Sequence, residues 1–186
     1  LLPNRNQYEG QYRKGFRDGV GSYQFRNGAK YVGEWKKGLK HGQGKFNYSD
    51  GSWYSGCWKS NQNHGFGKYV YENSDVYEGT WKDDVKHGVG TYKYHESEIS
   101  IKGTWVVGVL KGPIEIFYPD FRYHGYYNND FAVGDGVFTF GMKFMLPGHV
   151  EMFPNPNFTE PSEQNDEEIK VTSIPRCLPR FVAQEI

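Results

Sequence analysis

Three histidines recur at a fixed interval of 23 residues, at His41, His64 and His87. Imidazole nitrogens are common zinc ligands, and each must lie about 2.1 Å from the metal. If each interval folds as two adjacent strands, however, successive histidine Cα atoms lie about 9 to 10 Å apart. The spacing therefore predicts structural histidines and no metal site.

Other residues that could do chemistry also have a structural interpretation. The Gly-x-Gly runs at 19–21 and 42–44 resemble phosphate-binding loops, but such loops need a following helix N-terminus, and no helical period follows them. Asp83 and Asp84 occupy a turn position, and Cys57 occupies a strand position that is polar in other repeats. No serine or cysteine has a histidine at a fixed spacing. The sequence predicts neither an enzyme nor a bound cofactor.

A 23-residue repeat positions these residues. A Tyr-x-Gly-x-(Trp/Tyr) unit recurs along the chain, and a second glycine always follows the first by nine residues. The units begin at Tyr8, Tyr31, Tyr54, Tyr77, Ile101 and Tyr123, and the second glycines are Gly19, Gly42, Gly65, Gly88, Gly112 and Gly134. The fifth unit is worn, because isoleucine replaces its tyrosine and Ile114 replaces a further glycine. A fixed period of this length indicates a repeat architecture.

Each repeat is predicted to form two antiparallel strands. Residues 29–35 and 42–48 both alternate with period two, which is the side-chain period of a strand. About thirteen strands at the usual spacing and twist would make one elongated, twisted antiparallel sheet. The predicted fold class is therefore all-β.

The turns are predicted from their residue types. Inside a repeat we expect a short loop, such as the one from Lys36 to His41. Between repeats stand Asn27-Gly28 and Asp50-Gly51, and both dipeptides favour positive φ at the two central residues. We therefore predict type I′ turns between repeats.

The chain is predicted to divide near residue 153. Residues 1–153 contain the array, with six repeats and a half repeat at each end. From residue 154 the composition changes to proline, asparagine and acidic residues. Residues 154–186 are predicted to form a non-globular tail with a short apolar element at 169–174.

Alternation places the aromatic residues on one face of the sheet and polar residues on the other. A glycine beside a ring leaves room for that ring to lie on bare backbone, so the glycines are expected to accommodate the rings. A single layer leaves such a face partly uncovered, and repeat proteins use extended surfaces to bind partners. The candidate partner-binding or structural face comprises Tyr31, Trp35, Tyr54, Trp58, Tyr77, Trp81, Trp105 and Tyr123.

Basic residues are expected to form docking loops along one edge of the sheet. They are Lys36, Lys37, Lys40, Lys59, Lys82 and Lys86. Such an edge suits acidic protein partners or the phosphates of a membrane surface. The whole chain carries 22 basic and 22 acidic residues, so its overall charge predicts no nucleic-acid partner and disfavours a membrane.

The repeat unit, with its later His-Gly-x-Gly, resembles the MORN (membrane occupation and recognition nexus) repeat over residues 1 to about 150. The runs at 27–34 and 40–44, the worn unit at 103–106 and the segment at 122–125 are similar to the MORN subunits of the ciliary radial spoke head, the meichroacidin-like branch of the family. This resemblance implies tandem β-hairpins and a non-catalytic scaffold.

The resemblance also implies a cellular setting. It places the chain in the cytoplasm and cytoskeleton, in the axoneme of a motile cilium or flagellum. The expected partners are other radial spoke head proteins, and the central-apparatus surface and a second copy of the chain are further candidates. The alternative function is a tether that links a phospholipid membrane or a cytoskeletal motor to partner proteins.

Overall fold

The computed structural model describes residues 6–141, 144–154 and 177–184. In these residues it contains strands and no helix, and the strands form one antiparallel sheet in chain order. Their bounds are β1 Gln7–Arg13, β2 Phe16–Gln24, β3 Lys30–Lys36, β4 Leu39–Asn47, β5 Trp53–Lys59, β6 Gln62–Val70, β7 Val76–Lys82, β8 Val85–Lys93, β9 Ser100–Val106, β10 Val109–Phe117, β11 Phe121–Asn128, β12 Phe131–Phe140, β13 Phe144–Pro154 and β14 Cys177–Ala183. The predicted all-β hairpin array is confirmed.

The final strand comes from the segment that was predicted to be a non-globular tail. Strand β14 pairs antiparallel with β13, and Pro154 lies opposite Cys177. The sheet therefore continues past the expected boundary at residue 153. The predicted apolar element at 169–174 lies outside the described residues.

The two-residue turns lie within the repeats and the longer links lie between them, which is the reverse of the prediction. Inside the second repeat, Lys37 and Gly38 have φ of 49° and 85° and connect β3 directly to β4, as a two-residue type I′ turn does. The predicted loop from Lys36 to His41 is therefore wrong, because β4 begins at Leu39.

The links between repeats are longer than predicted. Gly28 has φ of 90°, whereas Asn27 is not among the residues with positive φ. The amide of Gly28 donates to the Phe25 carbonyl at 3.1 Å, and the amide of Phe25 donates to the Ala29 carbonyl at 2.9 Å. The type I′ prediction for Asn27-Gly28 is thus wrong, and so is that for Asp50-Gly51, where only the glycine has positive φ. The longer link keeps the Phe25 ring against Phe46, at 5.5 Å between centroids.

A bulge follows each tight turn. Gly33 pairs with Gly44, but the next residue, Glu34, pairs with His41, so two residues of β4 have no partner on β3. Gly42 has φ of 60° in this bulge, a conformation that glycine adopts without steric cost. The Glu34 carboxylate accepts a hydrogen bond from the amide of Gln43 at 2.8 Å. The bulge places Lys40 opposite Trp35 on a strand.

Candidate functional site: the aromatic face and the edges of the sheet

A ladder of alternating tyrosine and tryptophan rings runs along one face. Tyr31 meets Trp35 of its own repeat at 5.1 Å and Trp58 of the next repeat at 5.3 Å, edge to face in both pairs. Tyr54 meets Trp58 and Trp81 in the same way. This inner ladder comprises Tyr8, Trp35, Tyr31, Trp58, Tyr54, Trp81, Tyr77 and Trp105. Its rings join every repeat from the first to the fifth.

The tyrosine rings of this ladder pack directly on the backbone of the glycines. A Cβ atom built on Gly33 would lie 2.6 Å from the Tyr31 hydroxyl, and one built on Gly44 would lie 2.6 Å from the ring. The hydroxyl donates to the Glu34 carbonyl at 3.0 Å, and Tyr31 is fully buried. Burial raises the pKa of Tyr31. The predicted arrangement of rings on glycine therefore exists, with tyrosine as the residue that covers the backbone.

The tryptophans link neighbouring repeats through hydrogen bonds. The indole nitrogens of Trp35, Trp58 and Trp81 donate to glycine carbonyls in the preceding repeat at 3.1, 3.0 and 3.2 Å. These acceptors belong to Gly21, Gly44 and Gly67. Trp35, Trp58, Trp81 and Trp105 are at most 7% exposed, so their place in the fold is structural. Tyr123 is also buried. A role of this aromatic face in partner binding stays a prediction.

Two of the lysines that were predicted in docking loops lie on strands against the ladder. The Lys40 nitrogen is 4.0 Å from the Trp58 ring centre, and the Lys86 nitrogen is 3.9 Å from that of Trp105. Arg17 occupies the equivalent position over Trp35 at 4.3 Å. Cations over indole rings are attracted by the ring quadrupole. Burial lowers the pKa of Lys40 to about 8, although Asp84 opposes the shift, and burial also lowers the pKa of Lys86.

Stability should therefore rise between about pH 8 and pH 10. In this interval folded Lys40 has lost its proton, while the unfolded lysine, with its ordinary pKa, still binds one, so higher pH favours the folded state. Above pH 10 the trend should reverse, because buried Tyr31 and Tyr54 keep protons that the unfolded chain loses. Urea unfolding from pH 7 to 11 measures both trends. Lys40→Met should reduce the rise, and an unchanged slope would contradict this role for Lys40.

The other four predicted docking lysines remain at the surface. Lys36, Lys37, Lys59 and Lys82 are exposed at the edge formed by the tight turns. Asp84 of this edge accepts a hydrogen bond from the Asn63 amide at 2.7 Å, and Asp83 lies 3.5 Å from the His64 ring. The docking role of this basic edge stays a prediction.

The three histidines lie in three separate hairpins, and Cys57 is a residue of β5. His41, His64 and His87 lie on β4, β6 and β8, one in each hairpin. Among the described residues, no three histidine, cysteine or acidic side chains are close enough together to hold a metal ion. Cys57 is a free thiol that accepts a hydrogen bond from the Gln43 side chain at 3.0 Å.

The opposite edge, formed by the links between repeats, carries a second set of rings and carboxylates. Tyr48, Tyr71 and Tyr94 each directly follow the second strand of a repeat, and we call them the outer tyrosine row. The carboxylates of this edge are exposed and comprise Asp50, Glu72, Glu96, Glu98 and Asp120. This acidic edge was missed in the sequence, although its signal was visible: acidic residues recur between the repeats while lysines recur within them.

Asp75 is the exception on this edge because it is buried. It accepts hydrogen bonds from the Tyr92 hydroxyl at 2.9 Å, the His95 amide at 2.8 Å and the Asn73 side chain at 2.9 Å. Burial raises the pKa of Asp75, but these three donors outweigh it and hold the pKa below its ordinary value. Asp75 is thus a structural carboxylate that fixes the link between the third and fourth repeats.

Comparison with protein families matches the MORN repeat to residues 8–30, 31–53, 54–76, 77–96 and 123–143. These segments cover more than half of the chain. The chain belongs to the MORN-repeat family. MORN repeats are a non-catalytic repeat family and indicate a structural, protein-binding role. Comparison with curated protein sequences gave no match.

The MORN-repeat fold also resembles a solved structure. The TCP domain of SAS-4 (dCPAP) from Drosophila melanogaster, solved in complex with a Proline Rich Motif of Ana2 (dSTIL), aligns with a TM-score of 0.51 and 11% identity. The alignment covers 81% of this chain and 85% of that domain. At this identity the similarity shows the fold alone.

The fifth MORN repeat is absent from the family match, yet it folds as the hairpin β9–β10. Ile101 stands where other repeats place the covering tyrosine, and Ile114 stands where that tyrosine needs glycine. A Cβ atom built on Gly103 would lie 2.8 Å from Ile114, and Ile114 is buried. The Ile114 side chain therefore fills the space that the missing ring would occupy.

Proposed function

We propose that this MORN-repeat chain is a non-catalytic scaffold in the radial spoke head of a motile cilium or flagellum. The observation that carries the proposal is the inner ladder, which stabilises a single-layer sheet from within one chain. Because the rings and glycines hold the repeats together, both edges and the face opposite the ladder are available to partners. An extended scaffold of this kind suits a multi-protein assembly.

Three features support this choice of partners. The worn fifth repeat lies where the resemblance to radial spoke head subunits places one, and the sheet accommodates it through Ile101 and Ile114. The two edges carry opposite charges, which suits specific docking of several proteins. The SAS-4 domain that shares the fold was solved with a proline-rich motif, which supports peptide binding by an open sheet of this type.

Affinity capture from motile cilia tests the proposal. The full chain is used as bait, and bound proteins are identified by mass spectrometry. Radial spoke head proteins should be enriched over a control in which Trp58→Ala has destabilised the array. Enrichment of plasma-membrane or junctional proteins instead would contradict the ciliary function and favour the tether.

The basic edge favours the tether as a second candidate, and liposome binding distinguishes the two. If Lys36, Lys37, Lys59 and Lys82 serve a protein complex, binding to phosphoinositide vesicles should be weak at about 150 mM salt, because the Debye length there is about 8 Å. Vesicle sedimentation measures this, with Lys36→Glu/Lys37→Glu as the charge-reversed comparison. Tight, saturable binding that this double variant abolishes would reverse the ranking.

The part of the chain that the structure describes contains no helix that could cross a bilayer. The cytoplasmic and axonemal location, the central-apparatus contact and pairing of two copies all remain proposals. The capture experiment addresses the first two directly. The mass of the purified chain in solution addresses the third.

A further inference from the structure

The outer tyrosine row presents ring surface at regular intervals. Tyr48 and Tyr71 are half-buried and Tyr94 is 40% exposed. Intervening rings connect them: Tyr69 lies 5.7 Å from Tyr48 and 4.6 Å from Tyr71, and Tyr92 lies 5.7 Å from Tyr71 and 4.8 Å from Tyr94. The row is thus a continuous aromatic track that crosses three repeats.

The interval between these tyrosines matches one regular peptide conformation. Each repeat contributes two strands spaced about 4.8 Å apart, so equivalent residues lie about 9.6 Å apart. A polyproline II helix has three residues per turn and rises about 3.1 Å per residue, which gives about 9.3 Å per turn. A ligand in this conformation that runs across the strands would place every third residue against a successive tyrosine. Sheet twist of about 40 to 50° per repeat limits this match to roughly three repeats.

The polar groups of the row complement such a ligand. Within the described residues, the Tyr71 and Tyr94 side chains have no hydrogen-bond partner. A polyproline II segment has no internal hydrogen bonds, so its carbonyls can accept from these hydroxyls. The Tyr71 hydroxyl is protonated at neutral pH, as that of an ordinary tyrosine is, and burial raises its pKa further, to about 12.

Carboxylates give the track its charge preference. A shallow cavity of about 610 Å³ is lined by Tyr69, Tyr71, Tyr92, Asp50 and Glu72, with Ser52 and Asn73, and by no basic residue. Asp50 is held by the Ser52 hydroxyl at 2.7 Å, whereas Glu72 has no ion-pair partner among the described residues. The cavity therefore favours a basic side chain.

We propose that the outer tyrosine row binds a proline-rich segment of a partner protein in the polyproline II conformation. Prolines at every third position stack on Tyr48, Tyr71 and Tyr94, and an adjacent arginine or lysine pairs with Glu72 and Asp50. The proposal rests on the protein-binding function above and assigns it a ligand class and a site. The basic edge remains free in this arrangement.

Titration of the full chain with a synthetic peptide tests the site. The probe carries Pro-x-x-Pro-x-x-Pro followed by arginine, and its matched control has alanine in place of the three prolines. Fluorescence or calorimetric titration should show the proline peptide binding about tenfold more tightly. Equal affinity for the two peptides would overturn the polyproline II assignment.

Two variants locate the peptide. Glu72→Lys should weaken binding about fivefold at low salt and less at high salt, because the charge pair is exposed and screened. The control Glu78→Lys changes net charge equally, and Glu78 is an exposed residue of β7 whose side chain lies on the opposite face. Tyr71→Phe keeps the ring and should weaken binding about threefold through one lost hydrogen bond. If Glu72→Lys and Glu78→Lys have the same effect, the site is wrong.

Competition separates this proposal from the spoke head assignment. The proline peptide is added to the capture from cilia. Spoke proteins that remain bound while the peptide fails to bind would refute the tyrosine site and leave the scaffold intact. Peptide binding at the row without spoke proteins would refute the ciliary assignment and leave the site intact.

Discussion

Replacing Trp58 with alanine should lower the free energy of unfolding by about 3 to 5 kcal/mol. Trp58 is 3% exposed and lies between Tyr54 and Tyr31, with ring centres 5.1 and 5.3 Å away. Its indole nitrogen donates to Gly44, and Lys40 lies over its ring. The substitution therefore removes contacts with its own repeat and with the preceding one, and it takes from the desolvated Lys40 the nearest of its three rings.

The loss should also divide the array. In a repeat protein, stability depends on each repeat and on its interfaces with its neighbours. Weakening the interface between the second and third repeats should broaden thermal unfolding or split it into two transitions, which calorimetry measures. Lys45→Ala on the opposite face should cost less than about 1 kcal/mol, because Lys45 is exposed and its contact is with the half-buried ring of Trp53. If Trp58→Ala unfolds like the wild type but loses partner capture, the ladder is an exposed binding site and the faces are misassigned.

The sheet and the ladder could be predicted because their determinants are local and repeated. The Tyr31, Gly33 and Trp35 positions recur at 23-residue steps, and period-two alternation places all three side chains on one face. Tight packing of a ring on glycine follows from the same register. The fold and the inner ladder could therefore be predicted from the spacing of these residues alone.

The turn types could not be predicted from the dipeptides. Asn27-Gly28 is a strong signal for a two-residue hairpin, but packing overrides it, because Phe25 must reach Phe46 before the chain turns. Lys37-Gly38 carries a weaker signal and forms the tight turn. The positive φ of Lys37 costs conformational free energy, which the packing of the neighbouring rings offsets.

The positions of Lys40 and Lys86 were missed for a related reason. The bulge at Gly42 moves the start of β4 closer to the turn, so a residue assigned to a loop becomes a strand residue that faces the rings. Strand β14 was missed because its pairing joins segments that are far apart in the chain, and local periodicity carries no information on such pairing.

The hydrogen-bond partners of two tyrosine hydroxyls occupy the same position in successive repeats, a regularity that only the contacts in the structure reveal. The hydroxyls of Tyr69 and Tyr92 bond to Ser52 and Asp75, each two residues before the covering tyrosine of the same repeat. In the second repeat the ring is Phe46, which has no hydroxyl, and the equivalent position is Ala29. The match of partner to ring indicates that a hydroxyl at the ring position is accompanied by a polar side chain two residues before the covering tyrosine.

The fifth repeat has isoleucine at the positions of Tyr54 and Gly67 in the third repeat. Introducing both isoleucines into the third repeat tests whether the covering tyrosine and the glycine beneath it depend on each other. A Cβ atom built on Gly67 would overlap the Tyr54 ring, so Gly67→Ile alone should cost about 3 kcal/mol by overpacking. Tyr54→Ile alone should cost about 3 kcal/mol, because it opens a cavity and removes the hydrogen bond to the Cys57 carbonyl at 2.9 Å.

The double variant Tyr54→Ile/Gly67→Ile should be more stable than the sum of these costs allows, by about 1 to 3 kcal/mol. The isoleucine side chain introduced by Gly67→Ile would then fill the space of the lost ring, as Ile114 does beside Ile101. Urea unfolding of the four proteins gives the coupling energy. The mismatched pair Tyr77→Ile/Gly67→Ile is the control, because Tyr77 covers Gly79 and Gly90 and not Gly67. Additive costs in the matched pair would mean that ring and glycine are independent, and the worn fifth repeat would then need another explanation.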